Sequence, residues 1–261
     1  MRAISIRAFA LTAAVSAGAC ELVVPSKDDL SGGTALADAG AGAPTDGNVD
    51  GPSPPPDGGG GASLVQQKSG TATNTNTLTV TLGAAPRDGD ALVISVAMFA
   101  ATTPTITVSG GGVTWAQRTK ASAHIVSSVF TGVGARNGVA SVTVMTSGVQ
   151  ERLVAHLSEW SGASSFGTAA TMPSGGSGSP FTASLDVPDG IALVYASAAT
   201  HMESFGPPAN GFVSLDTVFV GDTQILAAYR LAPARGAYTT SWTESAPMGN
   251  SWDSHILSLA R

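Results

Sequence analysis

The sequence predicts an all-β protein whose core is an antiparallel β-sandwich, and three observations support this prediction. Charged residues make up only 11% of the 261 residues, whereas Gly and Pro, the residues typical of turns, number 32 and 15. Apolar and polar residues alternate in several segments, which is typical of strands with one buried face. Turn signals such as Asp88-Gly89 and Asn210-Gly211 separate these segments.

The chain begins with the layout of an export signal. Arg2 and Arg7 precede an apolar run from 8 to 15, and small residues lead from there to Cys20. The apolar run is shorter than the about 20 residues that a transmembrane helix needs. We therefore expect residues 1–19 to be a signal peptide.

Cys20 is the only cysteine of the chain and lies where such a signal would be cut. The segment Ala17-Gly18-Ala19-Cys20 resembles the lipobox of bacterial lipoproteins, although Ala17 stands where that family usually has Leu. The resemblance implies that the Cys20 thiol carries a diacylglycerol, which would make membrane lipid a partner. Glu21 after the cysteine implies the outer membrane or the cell surface. An ordinary A-x-A cleavage site, which would leave Cys20 unmodified, is the alternative.

Residues 20–61 are expected to form a disordered tether. They consist largely of Gly, Pro, Ala and Asp, and such a composition buries too little apolar surface to offset its ordering entropy. Asp46, Asn48, Asp50 and Asp57 have the spacing of a calcium loop. Asp stands in place of the usual Glu, and prolines interrupt the loop, so we expect no metal there.

Residues 62–261 are expected to form the β-sandwich domain. Their nine basic and eleven acidic residues leave a charge near −2 (9 − 11), which gives no electrostatic footprint for nucleic acid. Leu78, Val80 and Leu82 alternate with threonines, whereas 91–99 and 191–199 are more continuously apolar and are expected to be central strands.

Similar segments recur about 100 residues apart and indicate an internal duplication, with halves at about 64–162 and 163–261. The Asp-Gly turn at Asp88 recurs at Asp189, an offset of 101 (189 − 88), and a similar closing segment recurs at an offset of 100 (256 − 156). We expect about six strands in each half, in the same order, with jelly-roll-like crossings. We favour one continuous body, because the join between the halves is short; two sandwiches in contact are the alternative.

The offsets also predict which residues of the two halves are equivalent. Leu92 should overlay Leu193, and Leu157 should overlay Leu257. Val93 would likewise overlay Val194. Equivalent apolar residues must face the same side of a sheet, because a shift of one residue turns a strand over.

The domain resembles one found at the ends of many secreted bacterial proteins. The shared features are an apolar strand after an Asp-Gly turn, a Gly-Trp-type turn, and the closing segment Trp252–Leu259, which reads W-x-x-x-I-L-x-L. The resemblance implies a lectin-like or adhesion-type sandwich in outline and no particular activity.

The motifs of common catalytic sites are missing from the sequence, which has neither a G-x-S-x-G elbow nor an H-E-x-x-H zinc motif. We therefore expect no enzyme and no cofactor.

Aromatic ring faces pack on sugar rings, so the tryptophans are candidate ligand-binding residues; the alternative is that they fill the core. These residues are Trp115, Trp160, Trp242 and Trp252. His156 and His255 fall on equivalent closing strands, where we expect ordinary polar strand positions.

These observations predict a non-catalytic binding or adhesion module held at the cell envelope, with a glycan as the first candidate ligand. Two alternatives stay open: a structural envelope protein with a protein partner, and a glycan-active hydrolase. Exposed aromatics at one end of the sandwich would favour the glycan, and a long bare edge strand the protein partner. Two carboxylates in a cleft would favour hydrolysis.

Overall fold

Alternating and continuously apolar segments both form strands in the computed structural model, which is all-β as expected. The structure describes residues 61–100, 102–122, 125–136, 138–172, 180–201, 205–231, 234–243 and 252–261. The strands of the first half are β1 (Ser63–Thr81), β2 (Ala91–Phe99), β3 (Ile106–Gly110), β4 (Ala116–Ser122), β5 (Ile125–Gly132) and β6 (Ser141–Ser161). Those of the second half are β7 (Ser165–Met172), β8 (Phe181–Val187), β9 (Ile191–His201), β10 (Val213–Ser214), β11 (Val218–Val220), β12 (Thr223–Leu231), β13 (Gly236–Trp242) and β14 (Trp252–Ala260).

Each half forms one large antiparallel sheet, and the two sheets have equivalent strand orders. The order is β1-β6-β2-β5-β4 in the first half and β7-β14-β9-β12-β10 in the second. In both, the first strand pairs with the closing strand, and the closing strand pairs with the strand that follows the Asp-Gly turn. This order confirms the duplication that the sequence predicts.

A smaller outer layer covers the far face of each large sheet. In the first half, β1 and β6 bend so that their 77–81 and 141–145 portions pair with each other, and β3 pairs with the same part of β6. In the second half, the separate two-stranded sheet of β8 and β13 takes this place. The chain thus passes back and forth between two layers in each half, as in a jelly roll.

Three apolar cores hold the four layers together. One core lies between the two large sheets and contains residues of both halves, such as Val93, Trp160 and Leu193. Trp160 meets Tyr229 of the other half edge-on, with 4.9 Å between ring centroids. Each half also has a core of its own under its outer layer. The domain is therefore two sandwiches joined face to face through a shared core.

The predicted residue equivalences of the two halves are wrong, although the strand order is right. Leu92 and Leu157 face the first half's own core, whereas Leu193 and Leu257 face the shared core. Val93 and Val194 differ in the same way: the former lies in the shared core and the latter in the second half's own core. Positions at the predicted offsets thus face opposite sides of their sheets. The true offset therefore differs from the predicted offset by an odd number of residues.

Candidate functional site

A row of polar side chains crosses the large sheet of the first half. His156 of β6 is flanked by Ser69 of β1 and by Ser95 of β2. His156 is 0% exposed and Ser95 is 2% exposed, so both lie inside the protein. Ser95 faces the shared core, because its Oγ lies 2.8 Å from the hydroxyl of Tyr195 in the second half.

The second half repeats this row with the same chemistry. His255 of β14 is flanked by Thr171 of β7 and by Ser197 of β9. The two rows meet where Ser95 Oγ donates to Ser197 Oγ over 3.0 Å. The rows set the register of the duplication, with offsets of 99 for the histidines (255 − 156) and 102 for the serines (197 − 95).

A hydrogen-bonded chain links His255 to the first half. Ser127 Oγ of β5 lies 2.8 Å from His255 Nε2 and donates to Asp253 Oδ2 over 3.1 Å. A neutral His255 with its proton on Nε2 then donates to Ser127, and its Nδ1 accepts from the Thr171 hydroxyl at 3.4 Å.

The residue types of this chain are those of a Ser-His-Asp triad, but their arrangement differs. The Asp253 carboxylate accepts from the serine rather than orienting the histidine as a triad requires. Ser127, Asp253 and His255 are 1%, 1% and 2% exposed. The arrangement therefore joins β5 to β14 across the shared core.

Burial keeps both histidines neutral. It lowers the pKa of His156 to about 4 and that of His255 to about 3, because the charged ring would lose its hydration. His156 Nε2 lies 3.0 Å from Gln67 Oε1, and its Nδ1 lies 3.4 Å from the Tyr195 hydroxyl. Burial also raises the pKa of Tyr195, so the phenol keeps its proton. The two halves thus meet around both histidines through hydrogen bonds in which neither imidazole is charged.

A second buried polar cluster lies beside the Asp-Gly turn of the first half. Glu159 is 0% exposed and accepts hydrogen bonds from Gln66 Nε2 and from the Arg87 backbone N–H, the latter over 2.8 Å. Burial, together with a hydrogen bond to Glu159 and its negative charge, raises the pKa of Asp90 to about 6. Ile191 follows the equivalent turn of the second half, so the same fold forms there without a carboxyl at this position.

The candidate tryptophans lie in different parts of the domain. Trp160 is 0% exposed in the shared core, and Trp242 is 2% exposed in the second half's own core. Trp115 packs half-buried against the first half's core, and its Nε1–H donates to the Gly110 carbonyl over 2.9 Å. Trp160 in particular has no ring face that a sugar could reach. The four side chains therefore do not form one exposed aromatic platform.

Trp242 lines a groove of the second half, and Trp252 lies behind it. Trp252 stacks on Phe181 with 4.4 Å between ring centroids, and Phe181 lies 5.0 Å from Phe205. Phe205 and Trp242 together line a groove of about 270 Å³. The groove is also lined by Gly206, Pro207, Pro208, Ser214, Leu215, Thr217, Leu226 and Ala227. All of its lining residues are uncharged.

Four of the sequence predictions concern residues outside those that the structure describes. They are the signal peptide at 1–19, the lipidation of Cys20, the disordered tether at 20–61 (of which only residue 61 is described), and the calcium-loop-like set Asp46, Asn48, Asp50 and Asp57. Within the described ranges, no group of three or more His, Cys, Asp or Glu side chains is placed to hold a metal ion. The same ranges contain no helix with the length and apolarity needed to cross a membrane.

Comparison with known proteins identifies no family for this chain. No family model matches it, and neither does any curated protein or solved structure. The function must therefore be argued from the residues and their arrangement.

The buried histidines predict that acid weakens the fold. Their pKa is lowered in the folded state, so as the pH falls below about 6.5 only the unfolded chain takes up protons, and stability is lost down to the folded pKa. At pH 5 the loss is about 2 kcal/mol for each histidine relative to pH 7.5. Urea unfolding of the wild type, His156→Gln and His255→Gln at pH 5 and at pH 7.5 measures this loss of stability.

Each histidine variant should show a smaller difference between the two pH values than the wild type. Asp90→Asn is a control that should change the pH dependence of stability in the opposite direction. The raised pKa of Asp90 means that its folded form holds a proton that the unfolded form has released, so it adds stability as the pH falls through about 6. Removing it should enlarge the loss on acidification. Equal losses in all four proteins would contradict this account.

Proposed function

We propose that this protein is a lipid-anchored envelope protein that displays its double sandwich as a non-catalytic binding module for an uncharged glycan. Export and lipidation at Cys20 would attach it to the outer membrane or the cell surface. The tether of residues 20–61 would hold the module away from that surface, because Gly-rich and Pro-rich segments act as spacers. The module itself would bind its ligand on the second half.

The groove beside Phe205 is the observation that carries the glycan proposal. Phe205, Pro207 and Pro208 offer apolar surface of the kind that packs on the C–H face of a pyranose. Ser214 and Thr217 are exposed on the same groove and offer hydroxyl groups for hydrogen bonds. Because no lining residue is charged, an uncharged sugar fits this groove better than an acidic one.

The aromatic residues behind the groove support the same proposal. Phe205 is backed by Phe181, which in turn stacks on Trp252. Such backing fixes the position of the Phe205 ring before a ligand arrives, so less conformational entropy is lost on binding. In this proposal Trp252 acts through Phe205, and Trp242 forms part of the groove floor.

Lipidation at Cys20 predicts that the native protein partitions into the detergent phase and fractionates with membranes. Cys20→Ala should release it as a soluble protein, because the thiol that carries the acyl chains is gone. Mass spectrometry of the native N-terminus measures the modification directly. A mature chain that begins with an unmodified Cys20 would refute the anchor.

The groove predicts binding to neutral oligosaccharides on a glycan array, followed by titration with the best-bound one. Phe205→Ala should weaken binding about tenfold, since loss of one aromatic contact costs about 1 kcal/mol or more. Phe219→Ala is the matched control, because Phe219 is 69% exposed on β11 and does not line the groove. It should bind like the wild type.

Circular dichroism and thermal unfolding of both variants separate a binding defect from a folding defect. The glycan proposal fails if no oligosaccharide binds the wild type. It also fails if Phe205→Ala and Phe219→Ala bind equally well while both remain folded.

A further inference from the structure

Strand β1 leaves a long edge open on the first half. At 19 residues it is the terminal strand of the large sheet, and its 77–81 portion is also terminal in the outer layer. Among the described residues, no strand pairs with β1 on the side away from β6. A free edge of this kind presents a row of backbone N–H and C=O groups that can pair with a further strand.

The open edge lacks the charges that usually block such pairing. The segment Ser69–Thr81 of β1 has no charged residue, whereas β4, at the opposite edge of the same sheet, carries Arg118 and Lys120. Lysine and other charges on an edge strand hinder pairing with another chain. One edge of the sheet is thus protected and the other is not.

The composition of this segment favours strand pairing. Threonine occupies every second position from Thr71 to Thr81, and this stretch contains no Pro or Gly. Five of the six threonines are exposed, and Thr75 is half-buried. Uncharged, β-branched segments without Pro or Gly are the segments most prone to add to another strand.

The bend of β1 restricts which strand can pair with it. The register with β6 shifts between Thr75 and Thr77, where β1 passes from the large sheet to the outer layer. A Cβ at Gly70 would lie 2.9 Å from Val80, which shows that the two portions of β1 pack against each other across the first half's core. A straight strand could follow only one portion, whereas β1 of a second copy carries the same bend.

We propose that this edge is a self-association surface, on which β1 of a second copy pairs antiparallel about a two-fold axis near Asn76. The 71–75 portion of each copy pairs with the 77–81 portion of the other. Thr73 then lies opposite Thr79 of the second copy. Both layers of the first half continue into the second copy, and the two open edges close each other without a charged residue between them.

Sedimentation velocity of residues 21–261 at micromolar concentration tests this pairing. The wild type should form a dimer. Thr73→Lys with Thr79→Lys should dissociate it to a monomer, and so should Thr73→Glu with Thr79→Glu, because like charges then lie opposite each other. An equimolar mixture of the two double variants should dimerise again, since opposite charges now meet.

The double variant Thr143→Lys with Met145→Lys is the matched control. It adds the same number of charges to the first half, beside Thr79 and Thr77, but on β6, which is not an edge strand. It should remain a dimer, and circular dichroism should show that every variant is folded. A monomeric wild type would overturn the proposal. So would a dimer that survives the lysine or the glutamate pair on β1, or a mixture of the two variants that stays monomeric.

Discussion

The structure depends on the burial of both faces of the two large sheets. Strands β2 and β9 lie at the centre of these sheets, with the shared core on one face and the core of their own half on the other. A strand covered on both sides must be apolar at nearly every position, and any polar side chain in it must find a partner inside the protein. Ser95 and Ser197 find that partner in each other.

The same constraint accounts for the buried network. The histidines, serines and Tyr195 give the interface between the halves a fixed pattern of donors and acceptors, which a purely apolar interface would lack. Each hydrogen bond contributes modestly to net stability, about 1 kcal/mol, but leaving one of these groups unpaired would cost more. The network therefore specifies how the halves meet more than it strengthens the contact.

The fold class and the duplication, with strands in the same order in both halves, could be predicted because they depend on local patterns. Leu78, Val80 and Leu82 alternate with threonines, and Asp-Gly turns mark the starts of the central strands. The equivalence of residues could not be predicted from the apolar residues. Leu92 and Val93 are both buried, as are Leu193 and Val194, so an apolar pattern without alternation does not show which face each residue takes.

The polar positions in these strands contained the missing information. Ser95 and Ser197 each interrupt an apolar strand, and His156 and His255 do so in the closing strands. Matching these four residues, rather than the leucines, gives the register that the structure has.

The candidate site was harder to predict, because the sequence does not show which tryptophans are buried. Trp160 and Trp252 are both tryptophans, but the position of Trp160 on β6 directs its side chain into the shared core. Phe205, Pro207 and Pro208 lie in a segment without alternation, so no pattern marked them as neighbours of Trp242. The groove forms only because the fold brings this segment, β10 and β12 together.

The face-to-face register of the two halves is the central claim, and disulfide formation tests it most directly. In residues 21–261, which lack Cys20, Ser95→Cys with Ser197→Cys places two thiols where the serine oxygens lie 3.0 Å apart. This variant should fold with a disulfide, seen as the loss of two hydrogens by mass spectrometry. Ser158→Cys with Ser258→Cys should keep two free thiols, because Ser258 pairs with Val194, whose side chain lies in the second half's own core, so Ser258 points away from the shared core. Free thiols in the first variant, or a disulfide in the second, would contradict the account.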